Sequence, residues 1–166
     1  MTTTVEETTA TPPRGRGRWL DVVGLLARLV LGGALLVAGL LKVGKPLTAE
    51  RAVQAYELFP YELAGLIGRS LPFVEIVLGV LLVLGLFTRV TALVSTLLMV
   101  AFIAGIASAW ARGLTIDCGC FGGGGQIGAD ETRYPQEILR DIGLAACGAW
   151  LVVRPRSALA LDRFLR

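Results

Sequence analysis

The chain has 166 residues, a formal net charge of +3 and no histidine. Hydrophobic residues make up 54% of it before its 21 glycines are counted, whereas soluble globular domains reach about 45–50% with glycine included. This composition excludes a water-soluble domain and indicates a single domain that faces lipid. The absence of histidine excludes Ser/His/Asp triads, HExxH zinc sites and haem with a histidine ligand. Chemistry in this chain therefore depends on carboxylates, amines, guanidinium groups or its three cysteines.

The N-terminal segment, residues 1–18, is rich in threonine and ends with three arginines between glycines. We predict a disordered cytoplasmic tail, because this composition lacks the apolar residues that a packed core needs. A long acidic front is also not typical of a cleaved signal peptide. The first predicted transmembrane helix follows over about residues 22–43, with Arg28 inside it and Lys42 at its outer end.

A short amphipathic helix is predicted between the first two spans, from Thr48 to Phe59. Its apolar residues share one helical face, its charged residues share the other, and Pro60 ends it. Helices with this pattern lie in the plane of the membrane interface, with the apolar face toward the acyl chains. We therefore predict an interfacial helix here.

Three further spans are predicted, at about residues 70–88, 90–111 and 137–153. The first of these begins with Ser70 as an N-cap and has Pro72 in its first turn, where proline is tolerated. The next has no charged residue and covers about 33 Å at about 1.5 Å per residue, enough for a bilayer core. The last reaches the length of a span only if Glu137, Arg140 and Asp141 belong to it.

The spans together predict an all-α fold, an integral membrane four-helix bundle with the interfacial helix between its first two spans. The bundle occupies residues 19–156, and a cytoplasmic segment follows over 157–166. Basic residues cluster at both ends of the chain, and lysine and arginine are in excess in cytoplasmic segments. We therefore predict a multi-pass protein of the bacterial cell membrane with both termini in the cytoplasm and residues 112–136 on the extracytoplasmic side.

The predicted extracytoplasmic loop contains Cys118 and Cys120 on either side of a glycine. An exposed thiol pair in an oxidising compartment indicates redox chemistry. A disulfide across one residue closes a tight ring, and strained, exposed disulfides are labile and oxidising. Two alternatives stay open at this point: a static cross-link that shapes the turn, and a thiolate site for Cu(I). Cys147, inside the fourth span, is interpreted as a small core hydrophobe.

Charged residues also occur at or near membrane depth: Arg28, Lys42, Glu75, Arg140 and Asp141. A charged side chain there costs at least about 2.5–3.5 kcal/mol, so each one needs a partner or a polar cavity. Arg28 is expected to snorkel toward the inner face, whereas the other four lie at the level of the cysteine loop. Two interpretations stay open: an ion-pair cluster that holds the bundle together, and a polar pocket that controls the loop thiols.

These residues together resemble the DoxX/MauE family of small bacterial membrane proteins, in particular its methylamine-utilisation MauE-like branch. The resemblance covers most of the chain and rests mainly on the string CGCFG, which begins at Cys118, and on an upstream LPxxE that ends at Glu75. It implies a four-helix membrane protein connected with extracytoplasmic disulfide chemistry, with Cys118 and Cys120 as the redox pair and a thioredoxin-like protein as partner. Relatives on the DoxX side are tied to quinone reduction, which makes a quinone a candidate cofactor.

The sequence therefore predicts a membrane thiol-disulfide redox protein that supports disulfide formation or protein maturation. The predicted catalytic residues are Cys118 and Cys120, and the supporting residues are Lys42, Glu75, Arg140, Asp141 and Arg28. Membrane lipid and a thioredoxin-like protein are the predicted partners, and neither a metal site nor a nucleic-acid partner is predicted. The alternatives are a non-enzymatic assembly factor or scaffold, and a small transporter or copper-handling protein. Which cysteine attacks is not readable from the sequence.

Overall fold

The computed structural model describes residues 14–155, with side chains for residues 19–128 and 130–155. The predicted C-terminal segment over 157–166 and most of the predicted tail over 1–18 lie outside the described residues. Residues 14–18 are helical, so the prediction of disorder is wrong for this part of the tail. Arginine has a high helix propensity, and the apolar helix that follows extends back through these residues.

The described chain consists of five α-helices and a two-stranded sheet: α1 (Arg14–Val43), α2 (Pro46–Ala55), α3 (Tyr61–Leu84), α4 (Thr88–Ala111), β1 (Ile116–Asp117), β2 (Gly125–Gln126) and α5 (Tyr134–Val153). A single 3₁₀ turn, Ala129–Glu131, precedes α5. The two strands are antiparallel, and Ile116 pairs with Gln126. The fold is therefore mostly helical as predicted, with strands on either side of the cysteine loop.

Three helical segments are long and apolar enough to cross a membrane: Trp19–Val43 within α1, α3 and α4. They expose large apolar side chains, such as Leu40, Val77 and Leu97, which is the surface that lipid rather than water covers. α5 carries three charged residues in its first half and is not among these segments. The fourth predicted span, over 137–153, therefore stays a prediction.

The second span differs from its predicted bounds of 70–88. Its helix, α3, begins at Tyr61, and Pro72 lies inside it instead of in the first turn. Ser70 is not an N-cap, because its hydroxyl donates to carbonyl oxygens in the preceding turn of the same helix. Proline is tolerated inside membrane helices where neighbouring groups satisfy the freed backbone. The helix ends before Gly85, which has a left-handed conformation with φ of 69° that terminates helices.

A short helix, α2, lies between the first two spans as predicted, but it ends at Ala55 instead of Phe59. The cause is backbone geometry, since Glu57 has a positive φ of 51°, which no α-helix accommodates. The helix buries Ala49 and Ala52, whereas Phe59, predicted for the same face, is exposed. Its position at a membrane interface stays a prediction.

The helices pack mainly in two pairs, α1 with α3 and α4 with α5, and α1 also contacts α5. The close approach of α1 and α3 depends on Gly79, where a Cβ atom would lie 2.8 Å from the carbonyl oxygen of Gly32. Small residues of this kind are the usual means by which membrane helices approach each other. Because α3 and α4 contact each other much less, space remains between them.

A buried ion pair joins α1 to α3 near the end of this interface. The Nζ atom of Lys42 donates to both carboxylate oxygens of Glu75, at 2.7 and 2.9 Å. The exposed fractions of the two residues are 4% and 0%, so each charge is compensated by the other and not by water. The ammonium group also lies 5.9 Å from the centre of the Phe102 ring on α4. The pair therefore ties together three helices.

We expect removal of one partner of this pair to destabilise the fold strongly. The single variants Lys42→Met and Glu75→Leu should each lower the free energy of unfolding by about 3–5 kcal/mol, because each leaves an uncompensated buried charge. The double variant should recover most of the loss. The measurement is unfolding by SDS in mixed micelles, followed by circular dichroism.

The exposed pair of Arg69 with Glu50 provides the control. Arg69→Met should change the free energy of unfolding far less than either variant at the buried pair, because exposed ion pairs contribute little. A double variant at the buried pair that is as unstable as the sum of its two single variants would contradict this account.

Candidate functional site

The cysteine loop is anchored by the first residue of α5. The Tyr134 hydroxyl donates to the carbonyl oxygen of Leu114 at 2.6 Å and accepts from the N–H of Ile116 at 2.9 Å. Tyr134 is buried in a hydrophobic cluster that also contains Ile116, Cys118 and Cys120. These contacts hold β1 against the bundle, so the residues after it are directed into the protein.

Both loop cysteines are buried, which corrects the expectation of an exposed pair. Cys118 is 8% exposed and Cys120 is 7% exposed, and both are free thiols. They pack against α4 at Ile106 and Ala109, both fully buried. The loop turns inward because two small apolar thiols and the side chain of Ile116 complete this cluster, which removes their surface from the polar side.

The turn between the cysteines requires glycine. Gly119 has a φ of 70°, and a Cβ atom there would lie 2.6 Å from the Cβ of Ala52 on α2. Its N–H donates to the Asp117 carboxylate at 3.2 Å, which closes the turn. This turn places the backbone nitrogen of Cys120 3.4 Å from Sγ of Cys118, to which its N–H donates.

Arg140 on α5 links the thiol pair to a buried carboxylate. Its Nη2 atom lies 3.9 Å from the sulfur of Cys118, as a hydrogen-bond donor. Its Nε atom donates to Oδ1 of Asp141 at 2.9 Å, and its guanidinium group lies 4.8 Å from the centre of the Phe121 ring. Since Asp141 is only 2% exposed, this arrangement fixes a cation beside one particular sulfur.

Glu137 also belongs to the site, although the sequence analysis assigned it no role. Candidate ligand atoms of Glu137, Asp117 and Cys118 all lie within 4.8 Å of one another. The position of Glu137 one helical turn before Arg140 is the signal that places both on one face of α5. This group is poorly suited to a metal ion, because the Arg140 cation contacts the same sulfur and repels a second cation.

Tyr56 is a second site residue without a predicted role. Its hydroxyl donates to the carbonyl oxygen of Cys118 at 3.1 Å. Burial raises the pKa of Tyr56, with a further rise from Cys118 and Cys120, so the phenol stays protonated and acts as a donor. The sequence placed Tyr56 on the apolar face of the short helix and gave no sign of this polar contact.

The two cysteines differ in their surroundings. A hydrogen bond with Cys118 raises the pKa of Cys120 well above its usual value, and burial raises it further. The Cys120 thiol therefore stays protonated at neutral pH. Cys118 is the sulfur that receives hydrogen bonds from Arg140 and from the backbone N–H of Cys120.

The predicted supporting residues fall into two groups. Arg140 and Asp141 contact the cysteine loop directly or through each other, and Lys42 and Glu75 each line a cavity that reaches it. Arg28 does not belong to the site, because fourteen positions along α1 separate it from Lys42, about 21 Å. It is also only 2% exposed, so the expectation that it snorkels is wrong.

Cys147 lies apart from the loop thiols. It packs against the central hydrophobic cluster of the bundle, whereas Cys118 and Cys120 belong to the separate cluster at the loop. This position fits its interpretation as a small core hydrophobe.

A cavity of about 270 Å³ adjoins the cysteine turn. It lies between α2, α3, α4 and the loop, where α3 and α4 are separated. Its walls are almost entirely apolar, with Leu71 and Ala101 among them, and its reactive groups are contributed by Lys42, Cys118 and Cys120. Apolar cavities with a few convergent polar groups are typical ligand sites.

Comparison with known proteins connects the chain to one family. The family model described as methylamine utilisation protein MauE matches residues 20–154, which includes the cysteine loop and nearly all of the described helices. Neither the curated proteins nor the solved structures gave a significant match. The match supports the MauE part of the predicted resemblance, and the DoxX part stays an expectation.

The unequal surroundings predict unequal alkylation of the two thiols. Because only a thiolate is nucleophilic, N-ethylmaleimide should label Cys118 first at neutral pH, and labelling of Cys120 should catch up as the pH rises. The measurement is timed labelling of the Cys147→Ser variant in detergent, with sites assigned by mass spectrometry. The control is the urea-unfolded protein, in which both thiols are exposed to solvent and should be labelled at similar rates. Equal labelling rates in the folded protein at neutral pH would refute this difference.

Proposed function

The chain belongs to the MauE family of methylamine utilisation proteins, and on that premise we propose that it is a membrane thiol-disulfide redox protein. Cys118 and Cys120 alternate between a dithiol and a disulfide, and they exchange electrons with a thioredoxin-like protein on the extracytoplasmic side. This activity supports disulfide formation or protein maturation there. The observation that carries the proposal is the turn at Gly119, which brings the two cysteines together beside the Arg140 guanidinium group.

The different surroundings of the two thiols support different roles for them in the proposed reaction. Cys118 is the attacking cysteine, because its sulfur faces Arg140 and a fixed cation stabilises the negative charge on a reacting sulfur. Cys120 is the resolving cysteine, because its raised pKa keeps it protonated during the first step. The sequence alone left this assignment open.

The exchange proceeds through a mixed disulfide. The thiolate of Cys118 attacks one sulfur of the partner's disulfide, forms an S–S bond with it, and the other partner sulfur leaves as a thiolate. Cys120 then loses its proton and attacks Cys118, and the first partner sulfur leaves in turn. The partner gains two electrons and the Cys118–Cys120 pair loses them. In the direction that forms disulfides the same steps run in reverse, so the partner's dithiol loses two electrons and the Cys118–Cys120 disulfide gains them.

Burial of the pair places a condition on this reaction. Both sulfurs are covered by α4, α5 and the loop itself, so a protein partner reaches them only when the loop opens locally. The loop has four consecutive glycines, from Gly122 to Gly125, which have no side chains to remove from their packing when the loop opens. Reaction with a partner is therefore coupled to a small movement of this loop.

The larger cavity favours a membrane quinone as the second electron partner. Its volume of about 270 Å³ is near the lower end of the range for ligand sites, and its apolar walls suit a hydrophobic ring. When bound, a quinone supplies an acceptor for the two electrons and two protons that a dithiol releases. Lys42 has three N–H donors, and it lines this cavity while it also holds Glu75.

One observation favours the scaffold alternative. Two buried thiols in a hydrophobic cluster also suit a static structural role, in which the bundle holds a partner without exchanging electrons with it. The copper-handling alternative has less support, because Arg140 already contacts the Cys118 sulfur. The trapping experiment below separates the redox role from the scaffold role.

Thiol trapping in native membranes tests the redox role. With Cys120→Ser, the mixed disulfide on Cys118 should persist, because the resolving thiol is missing, and a covalent adduct should be recovered without reductant. Cys118→Ser should give far less adduct, and Cys147→Ser should behave as the wild type. The measurement is non-reducing electrophoresis followed by mass spectrometry. Absence of adducts in both loop variants, together with a wild-type pair that never changes redox state, would reject the redox role.

Filling the larger cavity tests the quinone. Ala101→Phe places a ring in the cavity, so oxidation of the dithiol by decylubiquinone in liposomes should slow by at least about tenfold, or about 1.4 kcal/mol. Oxidation by the small disulfide 4,4′-dithiodipyridine should not change. The matched control is Ala104→Phe, on the same helix and exposed like Ala101, but outside the cavity lining. Equal quinone rates in both variants and the wild type would rule out this cavity as the quinone site.

A further inference from the structure

A second cavity of about 20 Å³ lies between α1, α4, α5 and the cysteine loop. Three titratable residues line it, Glu75, Cys120 and Asp141, and its other walls are apolar. A cavity holds a water molecule when it has the volume of about one probe sphere, about 10–15 Å³, and two to four polar partners. The volume meets the first condition, and the side chains of Glu75, Cys120 and Asp141 are the candidate partners for the second.

The carboxylate of Asp141 provides an independent reason for a water molecule here. Its Oδ1 atom accepts from Arg140, whereas its Oδ2 atom is fully buried and has no hydrogen-bond partner among the described residues. A buried carboxylate oxygen without a donor is strongly unfavourable. Since Asp141 is 2% exposed, the cavity that it lines is where such a donor fits.

The charges around this cavity are balanced before any reaction occurs. Lys42 compensates Glu75, and Arg140 compensates Asp141. The titratable and charged groups that face the Asp141 carboxylate come from several elements: Arg140 and Glu137 on α5, Lys42 on α1, Glu75 on α3, Cys120 in the loop and Tyr56 after α2. Because Lys42 and Arg140 already compensate the two carboxylates, we expect the site to take up one further proton at most.

We propose that this cavity is a hydrated proton-transfer site, in which a water molecule takes the proton of Cys120 and passes it to Asp141 as Cys120 resolves the mixed disulfide. The proposal rests on the proposed redox function and adds the route of the proton. Asp141 acts through the water molecule, and Glu75 holds that water from α3. The same route in reverse returns the proton to Cys120 when the disulfide is reduced.

The resolving step balances in atoms and charge. The S–H bond of Cys120 breaks, its proton goes to the water molecule, and a proton of that water goes to Oδ2 of Asp141. The electron pair left on the Cys120 sulfur forms the S–S bond with Cys118. The bond between Cys118 and the partner's sulfur breaks, and the partner leaves as a thiolate. One proton is stored on Asp141 and later leaves to solvent.

The resolving thiol requires such an acceptor. Its pKa is raised by the hydrogen bond with Cys118 and by burial, so few Cys120 thiols are ionised at neutral pH. A nearby acceptor removes the proton during the attack and makes the step much less dependent on hydroxide. Glu137 lies beside Cys118, the other sulfur of the pair, and does not line this cavity.

A stopped-flow experiment on the full chain in detergent tests this site, in a Cys147→Ser background. One equivalent of 4,4′-dithiodipyridine releases one chromophore when Cys118 attacks and a second when Cys120 resolves. With Asp141→Asn the second phase should slow by about 10²-fold or more, and its rate should rise steeply with pH because hydroxide must take the proton. The first phase should slow much less than the second, because the amide oxygen of the substituted asparagine still accepts from Arg140 and keeps its guanidinium group beside Cys118.

A cavity-filling variant separates this role from a purely structural role of Asp141. Ala38→Val fills the cavity and leaves every titratable group in place, so it should also slow the second phase. Ala27→Val makes the same change on the same helix at a buried position outside the cavity lining, and it should leave both phases unchanged. If Asp141→Asn does not fold, the comparison of these two valine variants decides the question.

The outcomes distinguish this inference from the proposed function. In one outcome the wild type forms the disulfide, and the Asp141→Asn and Ala38→Val variants keep the wild-type rate and pH profile of the second phase. This result overturns the proton site and leaves the redox function intact. A wild type that gives no second release of chromophore and no disulfide overturns the redox function and the proton site together. A slow second phase in Ala27→Val equal to that in Ala38→Val also overturns the proton site.

Discussion

The ion pair between Lys42 and Glu75 is the interaction on which the rest of the structure depends. It joins α1 to α3 at membrane depth, where neither charge is tolerated alone. Its two partners also line different cavities, Lys42 the larger one and Glu75 the smaller one. Cys120 lines both cavities. The pair therefore defines two distinct environments on either side of the reactive turn, one suited to a hydrophobic ligand and one to a proton.

Burial of the cysteine loop gives the thiols properties that an exposed loop does not. The cluster around Tyr134 holds the turn against α4 and α5. The guanidinium group of Arg140 donates to the sulfur of Cys118. Two chemically identical residues thus have different surroundings, which is the basis of the attacking and resolving roles proposed for them. The proposed electron path and proton path both start at this turn, and membership of the MauE family places it in a membrane protein.

Much of the fold was predictable from the sequence, and so was the centre of the site. Composition and apolar runs predicted a membrane protein with helices close to α1 and α4. The spacing of Cys118 and Cys120 predicted that the two thiols lie together in one loop, and their redox role stays a proposal. The start of α3 was not predicted, because Ser70 and Pro72 form a common N-terminal signal that also occurs inside membrane helices. Glu137 and Tyr56 were missed, since their contacts with Cys118 come from other elements of the fold.

The sequence by itself determined which charges lie near membrane depth and which thiols lie in one loop, because position along a helix gives depth at a fixed rise per residue. Only the tertiary structure decided which of these groups meet. Lys42 pairs with Glu75, Arg140 with Asp141 and Cys118, and Arg28 lies far from all of them. The physical reason is that contacts depend on the direction in which each helix face points. Packing between helices and the inward turn of the loop set that direction.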